Sequence, residues 1–420
     1  MTSQTDAFEE ATKYELVDDD IERARALLGV MVARRQREHL TTFTPDAIRN
    51  FAYGVGDDNP LYADEGYGQG TRWGGPVAPN IMLAVVNDGL QGDPLPPEVK
   101  ERTRSLFRGI HVFVSGGTWH WYRPARPGDR IYSFRGEESL DVKESEFGGR
   151  SVIQVRREVK FNQHGTVLAV YRTLRVLTER KTARERGKYA EIQPATYTPE
   201  DIDAIEARYA AERRRGSEVR LGELLAEMTK GPLTITDVIA FHAGGYGFVP
   251  YGLPPNRLAH HNRQRIKAFY VPDAQGIPDV GQRLHWDSAW AQAIGNPMAY
   301  DYGFMRECHF HHYLTDWAGD DGFVERQHDE IRKFNYMGDV QHLSGEVVDK
   351  RVVEGRHLVD VTMKMTNQRG LETTFGEATV ALPSRDAGSV LLPVVPADLQ
   401  RDVDRMLGRH HELDGRPDRG

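Results

Sequence analysis

The sequence predicts an α+β protein built from two tandem copies of one module, an antiparallel sheet wrapped around a long central helix. Length is the first reason: 420 residues exceed what one ordinary core organises, and that leaves room for a duplication. Order is the second, because a buried helical run followed by several strand-like runs occurs in both halves. The third is a repeated hairpin signal near the strand ends, Asn162-Gln163 with Gly165 and Asn367-Gln368 with Gly370.

Residues 15–37, rich in Ala, Leu and Arg, read as a helical lead-in, and a short helix follows from Pro45 with Thr44 as its N-cap. The stretch GVGDDNPLYAD, Gly54 to Asp64, is a loop. Ile81 to Val86 is too uniformly apolar for a surface helix and reads as the start of a buried one, after the turn at Pro79-Asn80. From Gly109 to about Leu177 the pattern is strand-like, with turns at Pro127-Gly128-Asp129 and Gly148-Gly149. Charge dominates from roughly 179 to 220, where residues 199–216 read as a solvated helix with carboxylates first and arginines last, the order the helix dipole favours. The order then repeats: a short helix over 234–245, a Pro- and Gly-containing insertion from Gly244 to about Gly281, a central helix over 303–317, and strands from Val340 to Leu382.

A Gly-Asp turn precedes each Asn-Gln pair, at Gly128 and Gly338, by 34 and 29 positions, so the copies differ by one loop-sized deletion. The expected organisation is a first module with its lead-in over 1–185, a charged helical linker over 186–225, a second module over 226–385 and a C-terminal tail over 386–420.

Charged residues at 28% and apolar ones at 39% describe a globular chain. A net charge of −8 lacks the basic excess of a nucleic-acid binder, so no nucleic-acid partner is expected. The single cysteine, Cys308, excludes an internal disulfide, and the first thirty residues lack an apolar secretory core, which points to the cytoplasm. No apolar run is long enough to span a bilayer, and no membrane partner is expected.

The loop Gly56-Asp57-Asp58-Asn59-Pro60-Leu61-Tyr62-Ala63-Asp64 resembles the signature of the MaoC-like, R-specific enoyl-CoA hydratases, Gly-Asp-x-Asn-Pro-x-His-x-Asp. Tyr62 stands where that pattern has His. In the second half, His285-Trp286-Asp287 resembles the His-x-Asp end of the loop, and Gly303 follows His285 by eighteen positions, the family's spacing to the glycine that opens the central helix. The same offset puts Asn80 opposite Gly303, Val280 opposite Asp57 and Gln282 opposite Asn59. More widely, the chain resembles long acyl dehydratases with two hotdog domains, one of them similar to the dehydratase domain of fatty-acid synthases. The resemblance implies tandem hotdog folds and an acyl-CoA or acyl-carrier-protein thioester as partner. It also implies a hydro-lyase that needs no further cofactor and no metal, and it leaves a homodimer open.

Hydrating an enoyl thioester needs a base for water, a proton for the α-carbon and a donor for the enolate-like oxygen. On that resemblance His285 is the expected acid/base, Asp57 orients or activates water, and the Gly303 N–H contacts the carbonyl. Asn59, Tyr62, Asn80 and Asp287 are expected to bind substrate. Because each half holds a different part of the pattern, Asp57 and His285 are expected to serve one composite site.

Plainer readings stand beside these. Asp57 suits the cap of the turn before Asn59-Pro60, and His285 suits a hydrogen-bonded loop histidine. His309 and His312 share a helical face, yet no carboxylate or Cys pattern completes a metal site in sequence, so packing is the expectation for His309, His311 and His312. Cys308 reads as a small apolar filler, and Trp119 and Trp121 as neighbours on the core face of a strand. A non-catalytic acyl-CoA-binding subunit and a hotdog thioesterase are the alternative functions. The insertion over 244–281 is expected to cover the second pocket. There is no P-loop, dinucleotide fingerprint or Gly-x-Ser-x-Gly elbow.

Overall fold

The computed structural model describes residues 15–108, 110–145, 149–178, 192–212, 219–247, 257–294 and 296–414. The lead-in is less helical than its composition suggests. Helix α1, Asp18–Ala24, passes into a 3-10 turn over Arg25–Leu27, and Gly29, at φ 74°, then redirects the chain into β1, Val32–Ala33. Helix α2, Pro45–Gly54, begins where Thr44 Oγ1 accepts the Ala47 N–H at 3.2 Å, with Pro45 at its first position. Four long strands follow: β2 (His111–Trp121), β3 (Ile131–Ser145), β4 (Gly149–Asn162) and β5 (Val167–Thr178).

The charged connector holds α3, Pro199–Ala211, started by a capping box between Thr198 and Asp201. The rest of the charged run around it, 179–191 and 213–218, lies outside the described residues. The second half opens with β6 (Met228–Lys230) and α4 (Ile235–Phe241). In the insertion, residues 248–256, with Pro250, Pro254 and Pro255, lie outside the described residues, and the remainder forms a helix over Arg257–Arg265 and a small hairpin of β7 (Tyr270–Pro272) and β8 (Pro278–Val280). Then come the central helix α5 (Gly303–Ala318) and strands β9 (Phe323–Ile331), β10 (Gln341–Val353), β11 (Arg356–Asn367) and β12 (Glu372–Ala381).

Ten strands join into one antiparallel sheet, ordered β1-β3-β4-β5-β2-β9-β12-β11-β10-β6. The two halves meet where β2 pairs with β9, from Gly116 opposite Glu330 to His120 opposite Arg326. Gly116 is required there: at φ 132°, a Cβ on it would lie 1.9 Å from the Asp329 carbonyl oxygen. Both Asn-Gln hairpins are present, between β4 and β5 and between β11 and β12, with Gly165 and Gly370 at positive φ.

The halves differ in what fills them. In the second, α5 lies on the sheet and buries Met305, Cys308, Phe310, Tyr313 and Leu314 in the main core. In the first, the run expected to open a long helix is a 3-10 turn over Asn80–Val85 that ends in extended backbone at Val86. Val85 and Val86 are β-branched, and Gly89, Gly92 and Pro94 follow, so the run has neither the propensity nor the length to continue as a helix. The expectation of a central helix in each copy is corrected for the first.

The segment expected as a C-terminal tail carries an 18-residue helix, α6, Ala397–Asp414, which returns to the first half. Its Leu399, Val403, Met406 and Leu407 form a second core with Phe134, Val159, Phe161 and Val170, and Gln91 N–H donates to His410 Nδ1 at 3.0 Å. No helix among the described residues is long and apolar enough to cross a membrane.

Candidate active site

The signature loop folds through its own short polar side chains. Asp57 Oδ1 accepts the Asn59 N–H at 3.0 Å, and Asn59 Oδ1 accepts the Leu61 N–H at 3.0 Å, which starts the turn Pro60–Ala63. Asp57 therefore caps the turn, and it also has a second neighbourhood. Both Asp57 and Asn59 are buried, at 2% exposure each.

Asp57 faces the third turn of α5. His312 Nε2 lies 3.7 Å from Asp57 Oδ1 and 3.3 Å from Asp316 Oδ2. On the other side of the ring, Lys230 Nζ, from β6, is 2.8 Å from His312 Nδ1 and donates to the Gly56 carbonyl at 3.1 Å. An ammonium only donates, so Nδ1 accepts and the proton of the neutral ring sits on Nε2, facing the carboxylates. Burial raises the Asp57 carboxyl above its ordinary value, opposed by the nearby His312. Burial likewise lowers the Lys230 ammonium, opposed by Asp57 and Glu212. The acid and the ammonium are thus brought towards each other in proton affinity.

Asp57, Asp58 and His312 offer three ligand atoms within 4.8 Å of one another, a grouping of carboxylates around a histidine that the linear sequence does not show. Lys230 already sets a positive charge against this group and occupies one ring nitrogen, so the cluster balances its charge with a side chain.

Beside the loop runs a narrow cleft that draws on both halves. Asn59, Tyr62 and Asn80 line it from the first half, and His311, Thr315 and Phe323 from the second. Asn80 opens the 3-10 turn, and its carbonyl accepts the Trp121 Nε1–H at 3.2 Å. His311 lies against Trp121, with ring centroids 5.0 Å apart.

His285 lies at the other end of α5. Its ring packs on Tyr302, the residue before Gly303, with centroids 3.7 Å apart, and its Nδ1–H donates to the Tyr300 carbonyl at 2.9 Å. Burial lowers its pKa to about 4, so the ring is neutral with Nε2 as acceptor. Gly303 is the first residue of α5, where helix geometry leaves N–H groups without carbonyl partners inside the helix. Asp287 N-caps the helix over Ser288–Ala293 by accepting the Trp290 N–H at 3.0 Å, and it pairs with the buried Arg283 at 3.3 Å.

His285 and Gly303 thus come together, as do Asn59, Tyr62 and Asn80. Asp57 and His285 touch opposite ends of α5: from Tyr302 to His312 the axis runs about 15 Å. Between the two ends, Glu307 accepts from Trp119 Nε1 at 3.0 Å and from Tyr171 OH at 2.9 Å, so first-half side chains seal the middle of the helix. Sequence reasoning missed His312 and Lys230. His312 was visible only as one of three helical histidines, and Lys230 carried no signal, because its role depends on a strand pairing.

Among curated proteins, none matches the sequence. Residues 31–170 match the family model of the FAS1-like dehydratase domain region. A solved structure described as a MaoC-like dehydratase is similar over 86% of this chain and 99% of its own, at 15% identity and a TM-score of 0.55. A MaoC-like dehydratase from Phytophthora capsici aligns over 87% of this chain and 99% of its own, at 11% identity and a TM-score of 0.49. A conserved hypothetical protein from Mycobacterium tuberculosis, described as a double hotdog, aligns over 84% and 96%, at 10% identity and a TM-score of 0.45. Residues 31–170 are thus similar to a FAS1-like dehydratase domain region, and the chain as a whole shares the fold of a MaoC-like dehydratase.

Proposed function

We propose that the protein is an acyl-thioester hydro-lyase that adds water to an enoyl thioester, or removes it from the 3-hydroxyacyl form, with Asp57 and His312 as its acid/base pair. One observation carries the reading: a buried carboxylate on the signature loop of the first half faces a buried imidazole on the central helix of the second, beside a cleft that both halves line. His312 stands in for the imidazole that the first loop lacks at Tyr62.

In hydration, the Asp57 carboxylate takes a proton from water as the hydroxyl adds to the β-carbon. His312 gives its Nε2 proton to the α-carbon, while Lys230 gives one to Nδ1. The product state holds a protonated Asp57, a neutral Lys230 and His312 protonated at Nδ1; the acid proton passes to Nε2 and the Nδ1 proton back to Lys230, which resets all three groups. The raised Asp57 and the lowered Lys230 suit that exchange, because neither charge is well solvated. Asn59, Tyr62 and Asn80 would hold the thioester in the cleft. Asp287 belongs to the His285 end, where it supports the loop that carries the ring.

The competing assignment places the chemistry at His285 and Gly303, apart from Asp57, which touches the other end of α5. Its strength is that His285 packs on Tyr302, beside the helix-opening Gly303. A reading without turnover is favoured by Tyr62 and Asn80, which replace the family's His and Gly. The test is hydration of crotonyl-CoA and bulkier enoyl-CoAs by the wild type, Asp57→Asn, His312→Ala and His285→Ala. Turnover abolished by the first two variants supports the reading. Binding without turnover in the wild type, or release of free thiol, overturns it in favour of a binding subunit or a thioesterase.

A further inference from the structure

Without a long central helix of its own, the first half has its inner face covered at one end by α1, which packs on Leu140, Val152 and Leu177, and at the other by α5, with a strip between them. In an antiparallel sheet, residues directly opposite each other share a face. Trp119 and Tyr171 face α5, so the row Arg135–Glu158–Tyr171–Trp119 marks the inner side. Successive inner rows are Glu137–Arg156–Thr173 and Gln154–Arg175–Val114. In the second half, the equivalent side is packed against α5. Here Val112 and Val114 remain 38% and 47% exposed, and the side chains of Arg156 and Arg175 keep 30% and 22%.

The exposed strip is cationic. Arg135, Arg156 and Arg175 of the strip, with the nearly buried Arg34 and the buried Lys160 beside it, meet three carboxylates, Glu38, Glu137 and Glu158. Glu158 is taken by Arg34 at 3.0 Å and Lys160 at 2.9 Å, and Glu137 by Arg156 and, at 3.6 Å, by Arg175. Among the described residues, Arg135 has no carboxylate at ion-pair distance. Burial lowers Arg135 and Arg175, and in each the neighbouring Arg156 lowers it further. Cations held together in this way, with forked donors open to solvent, are arranged for an oxyanion. The strip also adjoins the His285 end of α5: a Cβ on Gly303 would lie 3.7 Å from the carbonyl oxygen of Val114, the strand partner of Arg175.

We propose that the strip of the first half's inner face between α1 and α5 is a binding site for an oxyanionic group of the ligand, held by Arg135, Arg156 and Arg175. That the ligand is an acyl thioester rests on the functional reading above; the anion site itself does not. Two parts of such a molecule carry the chemistry, the phosphates of a CoA-type carrier and a carboxylate at the far end of the acyl chain.

The test is calorimetric titration of the full-length protein with adenosine 3′,5′-bisphosphate and, separately, with glutarate, at low and high salt. One of the two binds the wild type, binds at least tenfold more weakly to the Arg135→Gln/Arg175→Gln protein, and weakens with salt. The bisphosphate identifies the carrier end and glutarate the acyl end. As a check that needs no variant, phenylglyoxal modifies Arg135, Arg156 and Arg175 of the wild type, and the bound probe protects them. Failure of both probes to bind, or protection confined to other arginines, overturns the proposal. Probe binding in a protein without hydratase turnover would sink the functional reading and leave the anion site standing.

Discussion

His312 Nε2 lies 3.7 Å from Asp57 Oδ1, and the two side chains are brought there by different halves of a duplicated fold. The loop supplies the carboxylate through a turn that Asp57 itself caps, while α5 supplies the imidazole from its buried third turn.

If this pair moves the protons, Asp57→Asn and His312→Ala each lower kcat for enoyl-CoA hydration by about 10²- to 10⁴-fold, the range for losing a general acid or base. His285→Ala costs less than either. A deeper loss in His285→Ala, measured by following the enoyl absorbance, would move the chemistry to the Gly303 end of α5.

Lys230 fixes which ring nitrogen of His312 holds the proton. Lys230→Met therefore lowers kcat by less than the ~10²-fold floor for the pair itself and leaves KM nearly unchanged. The ¹⁵N resonances of the His312 ring report the tautomer directly. Retention of the Nε2–H form in Lys230→Met would show that Lys230 does not set it.

Glu307 gives stability a sign with pH. Burial raises its carboxyl from 4.5 to about 7, with the hydrogen bonds from Trp119 and Tyr171 opposing, and burial together with Glu307 raises the neighbouring Asp329. A folded acid with a raised pKa holds its proton more tightly than the unfolded chain, so its stabilisation is present below about pH 4.5 and is lost as the pH rises towards 7. Glu307→Gln flattens that fall in Tm between pH 5 and 8. Parallel wild-type and variant curves would assign the fall to other groups.

Arg306 forms a two-pronged pair with Asp301, at 2.8 and 2.7 Å, and both side chains are almost fully buried. Asn335 donates to the same carboxylate at 3.0 Å. Removing one charge strands the other, so Arg306→Met destabilises the fold by about 3–5 kcal/mol in urea unfolding. A change under about 1 kcal/mol would mean that Asp301 finds water or protonates instead.

Leu399 is 2% exposed where α6 covers the first-half strands. Leu399→Ala costs about 2–5 kcal/mol by the same measurement. A neutral result would show that α6 is not part of the folded core.

Strand runs, turn glycines and the two Asn-Gln hairpins were legible because each depends on residues near one another in the chain. The cap at Thr44, the α3 helix and the start of α5 at Gly303 belong to the same class. The first-half run at Ile81 reads as a helix in sequence, yet such an apolar run suits any buried backbone. The breakers at Gly89, Gly92 and Pro94 decide its length only once the chain has to turn over the sheet edge. In sequence the 386–420 segment reads as a tail, because α6 is held by apolar residues of the first-half strands, far away along the chain.

By itself the sequence determined the sheet architecture, the Asp57 loop and the start of α5, since periodicity and spacing act over a few turns or strands. Only the tertiary structure decided that Asp57 meets His312 and Lys230, and that His285 keeps to the far end of α5. Those contacts follow from joining two halves along β2 and β9 and pairing β6 with β10, which sets the neighbours of a side chain without reference to its distance along the chain.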